Sequence, residues 1–210
     1  MTSYHQPLLP GDTYHLFSRA VGSEKLFLSI ENYRFFLQKL KQHTSAVCQF
    51  YCYALLPNHF HLLAKMNDER GIIKHFEEVK KVVYEPLQHN LSDFLMERFS
   101  NFLNSYTKAF NKTYKRKGSL FMDYIKRSIV NDTSDFTAYV WYIHKNPVHH
   151  GFARTVGEWQ FDSYKSILSE APTVLLREEV IEWFGNKNEF IKFHQQPVHR
   201  KIIQGFSLDL

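Results

Sequence analysis

From Gln49 to Met66 the chain is rich in β-forming apolar residues, with one interruption at Leu56-Pro57-Asn58. Two such runs separated by a turn signal read as a hairpin, here with Phe50 to Leu55 and His59 to Lys65 as its arms. A lone hairpin is marginal in water, so the other elements must complete a sheet or cover it. Tyr14 to Ala20 alternates in character and reads as a further strand, followed by a turn at Gly22-Ser23 and a helix that Ser29 can cap. Strand, helix, hairpin, helices, strand and helix in that order predict an α+β chain: an antiparallel sheet with helices on one face.

The helical stretches are marked by apolar residues at helical spacing. Tyr33, Phe36, Leu37 and Leu40 share one face. Ile72, Phe76, Val79 and Val83 repeat until Pro86 stops them, and a helix starting at Ser92 carries Leu95, Phe99, Phe102, Tyr106 and Phe110. These stripes are expected to be core. A basic run from Lys112 to Lys117 leads through Gly118 into a strand expected over Ser119 to Val130. A last clear helix runs from Asp132, Thr133 or Ser134 to Lys145, where Pro147 is expected to push the preceding residue out of helical geometry. Beyond Gly151 a turn-like stretch spans Trp159 to Tyr164, with helices expected around Glu178 to Phe184 and Glu189 to His194.

At 210 residues and 44% apolar content, one main domain can bury a sizeable core. The net charge of +5 favours a polyanionic partner. Cys48 and Cys52 are the only cysteines. On a strand their spacing of four places both on one face, without making a metal or redox motif, and they read as buried free thiols in a reducing cytoplasm. No apolar run approaches the roughly 20 residues that span a bilayer, and Met1 to Gly11 has no apolar signal-peptide core, so a membrane is not an expected partner.

His59 and His61 lie two apart on a strand, so they share a face while Phe60 points the other way. Two imidazoles so placed can chelate one ion, although an H-x-H taken alone is more often chance, with one ring buried and hydrogen-bonded and the other solvated. The helix ending near Asn146 changes that balance. Tyr142 and Asn146 are four apart, one turn along the same face, so a phenol and an amide oxygen can approach the same metal-bound group. An amide oxygen beside two neutral imidazoles leaves the ion's charge undiminished for a bound phosphate. A tyrosine attacking that phosphate would store the bond as a phosphotyrosine ester, which a free 3′-hydroxyl can later reseal.

Leu56-Pro57-Asn58-His59-Phe60-His61-Leu62-Leu63 and Tyr142-Ile143-His144-Lys145-Asn146-Pro147-Val148, with Gly151 following, resemble the motifs of the HUH single-tyrosine transposases, closest to the REP-associated tyrosine transposase branch. Tyr14 to Arg19, Gly118-Ser119-Leu120-Phe121 and Trp159 to Tyr164 extend the resemblance over roughly Tyr14 to Tyr164. The resemblance implies a ferredoxin-like catalytic domain over residues 1–165 with the histidines on a central strand, leaving 166–210 as a helical extension of unassigned role. It implies His59, His61 and Asn146 as ligands of a Mg or Mn ion and Tyr142 as the nucleophile. Its substrates would be single strands bearing imperfect hairpins, cut to a 5′-phosphotyrosine and a free 3′-hydroxyl by a monomer or a homodimer. Tyr139, three residues before Tyr142, competes on geometry, and the motif position favours Tyr142.

Arg19, Lys115, Arg116, Lys117, Lys126 and Arg127 are the candidate DNA-backbone contacts, each weighed against a plain solvated charge. Lys126 and Arg127 point to opposite faces of a strand, so at most one is expected to meet the DNA. His144, two residues from Tyr142, is turned away from the nucleophile's face. The chain departs from the branch's pattern at His149-His150, where Arg-Ala is usual, and at Met122 and Tyr124, where a Gln and an Arg are frequent. A domesticated hairpin-DNA-binding protein with little or no transposition activity is the alternative within this resemblance. A zinc hydrolase built on the H-x-H is a third reading, and it would require further His or acidic ligands.

Overall fold

Pro57 and Asn58 turn the chain between strands β2 (Cys48–Leu56) and β3 (His59–Met66), pairing Leu56 with His59 and setting the register of the hairpin. This is a computed structural model, and it describes residues 6–130 and 133–197. With β1 (Thr13–Arg19) and β4 (Lys126–Val130) the hairpin forms a four-stranded antiparallel sheet in the order β2-β3-β1-β4. The motif strand β3 is therefore central, and the α+β, ferredoxin-like reading holds.

Every residue of β3 but Lys65 is buried, which requires cover on both faces of the sheet. On one face Phe60 meets Phe36 of helix α1 (Ile30–Thr44), ring centroids 5.0 Å apart, and Phe36 meets Phe102 of α3 (Leu91–Thr113) at 4.8 Å. These are the helices expected on one face. The other face carries His59 and His61 and is covered by α4 (Thr133–His149), whose Tyr142 and Asn146 reach those rings.

The chain after residue 165 packs against this second layer. The Leu176 amide donates to the Phe50 carbonyl, and the Tyr51 ring lies 4.5 Å from Trp183 of α6 (Arg177–Phe184). Phe190 of α7 (Lys187–Gln195) is fully buried. The short helix α5 (Tyr164–Leu168) begins this stretch, and the last part of the expected extension, 198–210, lies outside the described residues.

Several local expectations are corrected. The strand expected over 119–130 is regular only from Lys126, with an isolated bridge between Ala20 and Phe121. Helix α2 (Glu69–Lys80) stops short of Pro86 because Lys81 adopts a left-handed backbone (φ 60°) and its amide caps the Glu77 carbonyl. Val83, beyond that cap, is 72% exposed, and Val79 is exposed as well, so neither is core. Helix α3 begins at Leu91, capped by Asn90 rather than opening at Ser92.

Helix α4 runs through Pro147 to His149, since a proline in the last turn forfeits one bond and the helix closes at Gly151 (φ 73°). Of its three expected starting residues, Asp132 lies outside the described residues, and the helix begins at Thr133. The cysteines occupy opposite faces, because a β-bulge between Phe50 and Cys52 slips β2 by one residue against β3. Both remain free and buried, and burial pushes the Cys48 thiol up to about 12. No helix among the described residues is long and apolar enough to cross a membrane.

Candidate active site

His59 and His61 project from the same face of β3, as strand alternation requires. Their rings lie 5.2 Å apart at 84° and are almost wholly buried. Helix α4 crosses above them, so that residues one turn apart on one helix meet residues two apart on one strand. Asn146 places Oδ1 3.3 Å from His59 Nε2, and the Tyr142 ring lies 5.5 Å from that of His61, edge to face.

The hydrogen bonds on the far sides of these rings decide what each can present. His59 Nδ1 lies 2.9 Å from Asn58 Oδ1, and a proton shared there leaves Nε2 facing Asn146 as a lone pair. Two donor atoms, each about 2.1 Å from an ion and at right angles, lie about 3 Å apart, close to the spacing of His59 Nε2 and Asn146 Oδ1. His61 Nε2 and Asn146 Nδ2 are buried with no protein partner. Two neutral imidazoles and an amide oxygen are therefore a donor set that suits a divalent cation. Among the described residues no three His, Cys, Asp or Glu side chains stand at metal-holding spacing, so the further acidic or histidine ligand that a zinc hydrolase would require is not assembled there.

The rings stay uncharged because burial opposes protonation. Burial brings His59 down to about 4, aided by His150 and opposed by Asn146, and holds His61 well below the usual value, aided by His15 and His59 and likewise opposed by Asn146. His15, on β1, was not singled out from the sequence, yet its Nε2 lies 2.9 Å from His61 Nδ1. Its only sequence signal is a histidine inside a strand, and which strand it would face cannot be read without the register.

Both tyrosines of α4 reach this layer. Tyr139 meets His15 at 5.1 Å, and its hydroxyl lies 3.2 Å from Ser128 Oγ on β4. Tyr142 meets both His61 and His15, the latter at 5.9 Å. His144 points away from that face, into a buried chain: its Nδ1 lies 3.0 Å from His194 Nε2 and its Nε2 2.8 Å from Ser163 Oγ. Ser163 also accepts from the Tyr53 amide. This network ties α4 to α7 and to the edge of β2, and so holds the helix that carries Tyr142.

The six cations divide. Arg19 pairs with His59 and Lys126 with Phe17 across the sheet, so both lie on the histidine face, part-exposed. Lys115 and Lys117 are exposed beside Gly118. Arg116 is instead drawn inward: it donates to both carboxylate oxygens of Glu24 and to the carbonyls of Gly118 and Ser119. Arg127 lies on the opposite face, buried, and donates to the carbonyls of Gln6 and Ile125. The departure at His150 sits close to the site, its ring 4.8 Å from His59, while Met122 and Tyr124 are exposed at the β4 end of the sheet.

The comparisons agree with the resemblance read from the two motifs. No protein-family model matches the chain. A Haemophilus influenzae protein described as a "Putative REP-associated tyrosine transposase" is 24% identical over 174 residues, covering 78% of this chain and 86% of its own. The solved structure of a REP-associated tyrosine transposase bound to a REP hairpin superposes with a TM-score of 0.58 at 16% identity, over 83% of this chain and 93% of that one. That superposition carries the fold.

Proposed function

We propose that this chain is a REP-associated type of tyrosine transposase, cutting and rejoining hairpin-bearing single-stranded DNA in the cytoplasm. The observation that carries this reading is the convergence of two sequence-distant motifs, with Asn146 Oδ1 3.3 Å from His59 Nε2 and Tyr142 against His61. The similarity to a relative named as a tyrosine transposase, and to one solved with a REP hairpin, supports the substrate class.

His59, His61 and Asn146 would hold a Mg or Mn ion, which supplies Lewis-acid polarisation of the scissile phosphate. Tyr142 attacks phosphorus through Oη, forming the phosphotyrosine ester as the neighbouring 3′ oxygen leaves and is released as a hydroxyl. A 3′-hydroxyl attacking the same ester reverses the bonds, so rejoining needs no external energy. Arg19 and Lys126 flank the site on its own face and take backbone phosphates, with Lys115 and Lys117 further out. Arg116 and Arg127, engaged within the protein, hold the loop and the sheet edge in place.

The test is adduct formation with a hairpin oligonucleotide carrying a single-stranded extension. Wild type yields a covalent complex whose DNA maps by mass spectrometry to the peptide containing Tyr142, while Tyr142→Phe binds the hairpin equally and gives neither cut nor adduct. A full-strength adduct in that variant transfers the role to Tyr139 or ends the mechanism. Tight hairpin binding by wild type, with no cleavage in Mg or Mn, would favour the domesticated DNA-binding alternative.

A further inference from the structure

We infer that His15 is a positioning residue that fixes the tautomer and orientation of His61, so that Nε2 is presented as a bare lone pair. The inference rests on the proposed metal-dependent site, because what it explains is how one ligand of that site is prepared. His15 and His61 are diagonal neighbours on the same face of β1 and β3, since Phe17 is the direct partner of His61 and His15 that of Leu63. From there His15 reaches across with Nε2 2.9 Å from His61 Nδ1.

A neutral imidazole carries one N–H and one lone pair, so this contact has two possible arrangements. If His15 donates, the remaining proton of His61 lies on Nε2; if His61 donates, that of His15 lies on its own Nδ1, and since both nitrogens are buried without a hydrogen-bond partner the unpaired proton alone does not choose between the two. If His61 donates from Nδ1, its Nε2 is a lone pair on the side where Tyr142 and Asn146 close over the strand. Only the second makes His61 a ligand, and it mirrors His59, whose Nδ1 has Asn58 as its partner and whose Nε2 faces Asn146. Both ligand rings then have an outer partner on Nδ1 and keep the Nε2 lone pair for the proposed ion, the arrangement by which a hydrogen-bonded outer group orients a metal-binding histidine.

His15 is itself held rigidly. Its ring stacks on Phe17 at 5.1 Å and 21°, lies nearly parallel to His61 at 15°, and has Tyr139 and Tyr142 against it. It is fully buried, and its Nδ1 has no protein partner. A phenylalanine would fill this aromatic stack without leaving a polar atom unsatisfied. A histidine there is explained by the one bond it makes, to His61.

Two readouts on the full chain decide the matter. Long-range proton–nitrogen NMR correlations of the metal-free protein at neutral pH should show His61 protonated on Nδ1 in wild type, and a mixture or the opposite tautomer in His15→Phe. Mn binding followed by EPR should weaken about 10- to 100-fold in His15→Phe and recover to within a few-fold in His15→Gln, whose side-chain oxygen can accept in place of Nε2. A wild-type His61 protonated on Nε2 overturns the inference, and does so even if no variant folds. Unchanged tautomer and affinity in His15→Phe overturn it as well. If the tautomer depends on His15 as expected but wild type binds no Mn, the role of His15 stands and the metal-dependent function is what fails.

Discussion

Lowering the pH of the metal-free protein should unfold it far earlier than its carboxylates would. His15, His59, His61, His144 and His194 are each at most 3% exposed. Burial depresses all five, to about 3 for His15, to about 4 for His59 and His194, and well below the ordinary value for His61 and His144. A histidine depressed in the folded state stays neutral there, while its unfolded counterpart takes up a proton below about 6.5. The stability this confers is complete above about pH 6.5 and is lost as pH falls towards the folded value. At pH 5.5 each histidine has lost somewhat over 1 kcal/mol, about 7 kcal/mol together. Asp162 works in the opposite sense: burial raises it to about 7, so its folded form gains a proton first as pH falls. That returns about 2 kcal/mol between about pH 7.5 and 5.5, leaving a net loss of about 5 kcal/mol, comparable to the whole stability of a marginal domain. Urea unfolding followed by tryptophan fluorescence, with chelator present, should show the midpoint falling by about 2 M over that interval. A double variant, His144→Gln with His194→Gln, removes two of the five groups and should reduce the histidine part of the loss by about 3 kcal/mol. A midpoint that moves by less than about 0.5 M in wild type would refute the reasoning, since it would mean that the folded state accommodates the charged rings.

His59→Ala and His61→Ala should each lower cleavage at least about 100-fold and weaken Mn binding measured by calorimetry, with circular dichroism unchanged; wild-type rates in both would remove the ion from the mechanism. Neutralising Lys115 and Lys117 together should reduce the slope of log affinity against log salt for hairpin DNA by about 2, and an unchanged slope returns them to plain surface charge. Arg116→Ala should lower the melting temperature while leaving that slope as in wild type, because its guanidinium is committed to Glu24 and to two carbonyls. A slope change equal to that of the lysines would place Arg116 on the DNA instead.

What could be read without a structure is what lies within single elements. The hairpin around Pro57-Asn58, the common face of His59 and His61, and the one-turn spacing of Tyr142 and Asn146 follow from the repeat of a strand or helix, which is set by backbone geometry. The order of elements narrowed the fold to an antiparallel sheet with helices, and the two motifs pointed to the chemistry. The sequence could not locate the bulge after Phe50, because register is chosen by pairing against β3, and one slipped residue sent Cys48 and Cys52 to opposite faces. It could not distinguish the lysines beside Gly118 from Arg116, whose partner Glu24 lies 92 residues away. The pairs His15–His61 and His144–His194, separated by 46 and 50 residues, are likewise invisible to any local pattern. The first exists because β1 pairs with β3 in this register, and the second because α4 and α7 pack together beyond the sheet's second face, arrangements decided by side chains brought together only when the whole chain has folded.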